Sequence, residues 1–141
     1  MDFQINSFVG AGVVKFGMSQ SEVQGLMGSN NVEPFKRNPS SDLLCDYYCD
    51  IGVFIYYNKF KFVSAMEFHE PANPIYQNVA IFKVTASEIY NLISSLDQNV
   101  DIDEDGLTSI SLGIGIYAPN YEEDPCAPVE GTIVFEKGYY D

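Results

Sequence analysis

The chain has 141 residues and carries 20 acidic against 7 basic side chains, a formal net charge of −13. Its 46% apolar and 14% aromatic content can build the core of one domain but not two, and excludes a disordered chain. The charge speaks against nucleic acid and anionic membranes as partners, and no apolar run approaches the roughly 20 residues that cross a bilayer.

The opening "MDFQINSFVG" has an acid where a secretory leader carries bases, and it lacks an apolar leader core, so a soluble cytoplasmic protein is expected. Next comes "VVKFGMSQSEVQGLMG" (13–28). Ser19 followed by Glu22 is a capping box, in which the hydroxyl takes an orphan N–H and the carboxylate reaches back. Val23, Leu26 and Met27 follow at helical spacing, and Gly28 can close the helix in a left-handed conformation.

Cys45 and Cys49 could share a strand face. With Cys126 they make an odd set beside the single histidine, His69, which argues for reduced thiols over a disulfide framework or a zinc set. In "FKFVSAMEF", Phe60, Phe62, Met66 and Phe68 alternate with Lys61, Val63, Ala65 and Glu67. This predicts a strand with one face on the core, entered by a turn at Asn58-Lys59. His69 ends that strand as a rim residue.

A second helix is predicted in "VAIFKVTASEIYNLIS" (79–94), where Thr85 and Glu88 repeat the capping box and Ile89, Leu92, Ile93 and Leu96 form one apolar stripe. This segment aligns with 13–28 at an offset of 66. "CDIGVFIYYNKFKFVSAMEF" (49–68) likewise parallels "SLGIGIYAP" (111–119) and "EGTIVFEKG" (130–138). The expected fold is therefore a single α+β domain over 1–141. Two helix–β-meander repeats, about 11–70 and 77–138, would form one antiparallel sheet with both helices packed on one face.

Charge is distributed unevenly along this repeat. Residues 1–83 hold 8 acids and 6 bases, a net of −2, whereas 84–141 hold 12 acids and only Lys137, a net of −11. "DIDEDG" resembles the front of a calcium loop, with Asp101, Asp103 and Asp105 as weak candidate ligands ahead of Gly106. The closing position, however, is Leu112, which has no ligating oxygen, so no metal or other cofactor is expected. The inserted "APNYEEDPCAPVEG" (118–131) adds Glu122, Glu123 and Asp124 beside Tyr121, read as an exposed aromatic. Proline-stiffened charged loops of this kind usually bind.

Whether the two acidic loops meet depends on 107–117. In "LTSISLGIGIY", Ile110, Leu112, Ile114 and Ile116 alternate as in a strand, and an unbroken strand of about 11 residues would hold the loops on the order of 35 Å apart. The glycine-containing break near Ser111–Gly113 favours a hairpin instead, which would place both loops at one edge. Asp101, Asp103, Glu104, Asp105, Tyr121, Glu122, Glu123 and Asp124 would then face one partner. Such a surface draws in a basic partner and speeds its docking.

"VKFGMSQSEVQGLMG", "DIGVFIYY", "SLGIGIYAP" and "EGTIVFEKGYYD" together resemble small bacterial immunity proteins of polymorphic or contact-dependent toxin systems, over roughly 11–28, 43–68 and 106–140. The resemblance implies a cytoplasmic, non-enzymatic protein that binds one cognate toxin domain and blocks its active site or substrate path. It supplies no catalytic residues and does not locate the interface. The sequence contains no nucleophile elbow, P-loop or G-x-G-x-x-G motif. An acidic inhibitor of a basic, nuclease-type toxin domain is the expectation, and a calcium-stabilised or other small binding module is the alternative.

Overall fold

The computed structural model describes residues 1–28, 32–36 and 44–140, with 32–36 described by their backbone only. Both helices start where the caps place them. In α1 (Gln20–Met27) the Ser19 box is reciprocal, and in α2 (Ala86–Leu96) the Thr85 hydroxyl accepts from the Glu88 N–H at 3.2 Å. Gly28 ends α1 with a positive φ of 87°, but its ψ of 150° is extended and not left-handed helical. Of the expected apolar stripes, Val23, Ile89 and Ile93 are buried, while Leu26 and Leu96, in the last turns of their helices, are exposed.

Thirteen strands are described. Before α1 come β1 (Asp2–Asn6), β2 (Gly10–Ala11) and β3 (Val14–Lys15). After it come β4 (Val32–Lys36), β5 (Leu44–Tyr48), β6 (Val53–Tyr57) and β7 (Val63–Phe68). The short β8 (Asn73–Tyr76) and β9 (Val79–Ala80) lead into α2. Beyond it lie β10 (Asp101–Ile102), β11 (Gly106–Ser109), β12 (Ile114–Tyr117) and β13 (Gly131–Phe135). The domain is α+β, as expected from the sequence.

The expected single sheet is corrected to two. Eight strands form an antiparallel sheet in the order β10-β11-β12-β13-β7-β6-β5-β4, and five form a smaller one, β3-β2-β1-β8-β9. In the smaller sheet β1 runs parallel to β8, with Phe3 opposite Pro74. Each helix is followed by a four-stranded meander, and the two meanders join where β13 pairs with β7. The proposed duplication does not account for the second sheet.

Register places one continuous row on the inner face: Asp46, Ile55, Met66, Val134, Ile114 and Ser109. All six are buried. The row is fastened at both ends. Gln20 and Gln24 of α1 donate to the Asp46 carboxylate at 2.9 and 3.2 Å, joined by the Tyr57 hydroxyl at 2.8 Å. At the other end the Ser109 hydroxyl donates to Asp97, just past α2, at 2.7 Å. Both helices therefore sit over one face. The smaller sheet closes over it too, with the Phe3 and Phe68 rings 5.0 Å apart.

Two strand readings change. Phe60 and Phe62 are exposed and lie before β7, because Lys61 adopts a left-handed φ of 67° that no regular strand can contain. Ile110 and Leu112, which mimic strand alternation, fall in the β11–β12 turn, where Ile110 is exposed. The C-terminal Tyr139 and Tyr140 pack on Phe135, with ring centroids 5.7 and 4.9 Å away.

Candidate functional site

The β11–β12 hairpin decides the geometry of the acidic half. Thr108 faces Gly115 and Gly106 faces Tyr117, so residues 105 and 118 emerge at the same end. The Gly113 N–H closes the turn on the Ser109 carbonyl at 3.0 Å, and Gly113 has the positive φ, 71°, that glycine tolerates best. At the open end the Ala118 N–H donates to the Asp105 carbonyl at 2.8 Å. The loops carrying "DIDEDG" and "YEEDP" are thus bonded to each other through their backbones.

Each loop is held from within. The Asp103 carboxylate accepts the N–H groups of Asp105 and Gly106 at 2.8 and 2.9 Å, and Asp124 accepts that of Cys126 at 3.1 Å. The proline-bearing insertion lies across the start of α2, where the Ala86 and Ser87 N–H groups donate to the carbonyls of Ala127 and Pro125, both at 2.9 Å. Helix N–H groups left without an intrahelical partner therefore clamp the loop. Asp101, Asp103, Glu104, Asp105, Glu122, Glu123 and Asp124 are all exposed.

Tyr121 is corrected from exposed to half-buried, because it stacks on Tyr90 of α2 with centroids 3.9 Å apart and planes 15° from parallel. The Tyr90 hydroxyl beneath it is buried and has no hydrogen-bond partner among the described residues. Burial first, then the neighbouring Tyr121, Asp103 and Glu122, push its phenol up to about 12. One acid from each loop therefore acts on the same hydroxyl.

Among the described residues the one contact at ion-pair distance is that of His69 with Glu67, and no Lys or Arg there pairs with the corner carboxylates. No group of three or more carboxylate, thiol or imidazole side chains among the described residues is arranged to hold a metal ion. One Asp103 oxygen already caps its own turn, and Asp101 stands on β10 opposite Thr108.

The sequence reading did not anticipate the outer face of the eight-stranded sheet. Register aligns Tyr47, Phe54, Glu67, Ile133, Gly115, Thr108 and Asp101 there in one row. Tyr56 donates its hydroxyl to Glu67 Oε1 at 3.2 Å, and His69 Nε2 lies 2.5 Å from Glu67 Oε2. His69 Nδ1 is 3.3 Å from the Glu130 carbonyl. The Tyr47 and Phe54 rings stack at 4.2 Å, and Phe54 meets His69 edge-on at 5.8 Å. His69 is a rim residue, as expected, with 39% of its side chain exposed. The local signal was Glu67-x-His69, two residues apart and hence on one strand face.

Compared with known proteins, the chain matches no family model, and no curated protein and no solved structure is significantly similar to it. Among the described residues no helix is long and apolar enough to cross a membrane.

Proposed function

We propose that this protein is a non-enzymatic inhibitor that docks a basic protein through its acidic corner, the role of an immunity protein toward a nuclease-type toxin domain. The observation that carries the reading is the meeting of two acidic loops at one rigid corner without a compensating base among the described residues. Rigid loops lose little conformational entropy on docking, which favours affinity. Unpaired carboxylates raise the local concentration of a basic partner and speed encounter. Laid into a groove built for phosphates, they compete by charge and shape together.

The partner to test first is the product of the adjacent reading frame, expressed as a catalytically silent domain. Association with the wild type should be fast and should slow steeply as salt rises. Reversing Asp103, Asp105, Glu122 and Glu123 together to lysine should slow it about tenfold or more, the size of ordinary electrostatic steering. An association rate indifferent to both salt and the reversal would refute the electrostatic reading.

A further inference from the structure

Beside the acidic corner, the outer sheet face carries a groove of about 330 Å³. Its walls are Glu67 and His69 on one side and Tyr117 and Thr108 on the other, with Ile133, Gly115 and Gly131 along the floor. The glycines let neighbouring side chains lie flat. A Cβ on Gly115 would stand 2.9 Å from the Ile133 side chain, and one on Gly131 would stand 3.0 Å from the His69 ring. Tyr117, 48% exposed, forms a free aromatic wall where the sheet runs into the inserted loop.

We infer that this groove is the anchor pocket for an arginine side chain of the basic partner, an inference that rests on the docking reading above. Three features of the groove favour a guanidinium. First, the Glu67 side chain is 31% exposed and lines the groove, with the Tyr56 hydroxyl donating to one carboxylate oxygen and His69 Nε2 beside the other. Each oxygen keeps a lone pair, and a planar donor fork can use both at once. Second, the Tyr117 ring offers a face on which a guanidinium stacks. Third, the surrounding charge is cationophilic. Asp101 shares the face, Glu130 borders Gly131, and among the described groove residues the only base is His69, already engaged with Glu67.

The groove is also continuous with the corner. Tyr117 pairs with Gly106, which follows Asp105, and Ala118 bonds back to Asp105. A partner seated on the corner would bring its adjoining surface over this groove. In this arrangement the corner governs encounter and the groove governs residence, as in interfaces where a few desolvated anchors hold most of the affinity.

The test uses the whole chain, isotope-labelled, titrated with N-acetyl-arginine-N-methylamide and followed by amide and methyl resonances. Saturable shifts are expected at Gly115, Tyr117, Gly131 and Ile133, and the uncharged citrulline counterpart should bind at least tenfold more weakly. Glu67→Gln, which keeps the side chain's shape, should also weaken arginine binding at least tenfold while its spectrum stays that of a folded protein. The corner reversal should change it less than threefold. Shifts confined to residues 103–105 and 122–124, or equal shifts with citrulline, would overturn the anchor pocket and leave the corner standing. Conversely, arginine binding that survives in a protein whose partner association ignores the corner charges would sink the corner and keep the pocket.

Discussion

Replacing Asp46 with alanine should be among the most damaging single changes on the inner face. Asp46 is fully buried and its carboxylate receives Gln20, Gln24 and Tyr57, so three donors from two elements depend on it. Tyr57 is itself buried, and stranding its hydroxyl costs about 1–3 kcal/mol. The two glutamines are half-exposed and can turn to water, which limits their loss to roughly 0.5–1 kcal/mol each. Removing a buried carboxylate also relieves its own desolvation, so the sum falls at about 2–4 kcal/mol.

The assay is urea unfolding of a double-mutant cycle with Tyr57→Phe. Once the carboxylate is gone, removing the tyrosine hydroxyl should restore about 1–2 kcal/mol, so the two changes should couple by that amount plus whatever Tyr57→Phe costs in the wild type. A loss below about 1 kcal/mol for Asp46→Ala, with purely additive effects, would refute the claim that this carboxylate fastens α1 to the sheet.

Three further outcomes follow from the acidic half. Hydrogen bonds from Ser109 and from the Asn99 N–H hold the Asp97 carboxyl below its usual range, against the opposing effect of burial. A depressed folded value means that the stabilisation is present above the unfolded value near 3.9 and is lost as pH falls through the folded one. The stability gap between wild type and Asp97→Asn, measured by urea titration, should therefore close as pH drops below about 4, and a gap unchanged down to pH 2 would contradict the geometry. Gly113→Ala should cost about 2 kcal/mol or more, visible as a melting point lower by roughly 6 °C. A Cβ there meets the Phe8 ring at 2.8 Å and the Phe135 carbonyl at 2.9 Å, on a backbone with φ of 71°. Tyr121→Ala should uncover the Tyr90 ring, so that its ionisation midpoint, read from carbon-labelled ring resonances, falls from about 12 toward the ordinary value near 10.

What the sequence disclosed was local physics. Ser19 with Glu22 and Thr85 with Glu88 announced two helix starts because a cap is made within four residues. The Ser111–Gly113 break disclosed the hairpin because a turn needs its glycine wherever the rest of the chain goes. Long-range assembly stayed hidden. Nothing near Asp2 announces that it pairs in parallel with Asn73, and nothing near Glu67 announces that Ile133 will lie opposite it. Alternation misled at Phe60, Phe62, Ile110 and Leu112, because period-2 patterns persist into turns that exposed apolar residues can occupy. At the acidic corner the carboxylates were legible and the buried Tyr90 was not, since its meeting with Tyr121 depends on how α2 packs against the inserted loop.

The strand β10 is two residues long and ends the eight-stranded sheet as an edge whose two residues are exposed. A free edge of this kind is a template for edge-to-edge pairing between identical molecules, and Ile102, 52% exposed, adds an adhesive apolar side chain to it. Asp101 and Asp103 flank that isoleucine, so two copies approaching edge to edge bring like charges together before any backbone bond can form. The carboxylates proposed to receive a basic partner thus also oppose edge-to-edge pairing of identical chains. Neutralising them to probe recognition removes a safeguard against self-association, and binding data on such variants call for sedimentation at matched concentration.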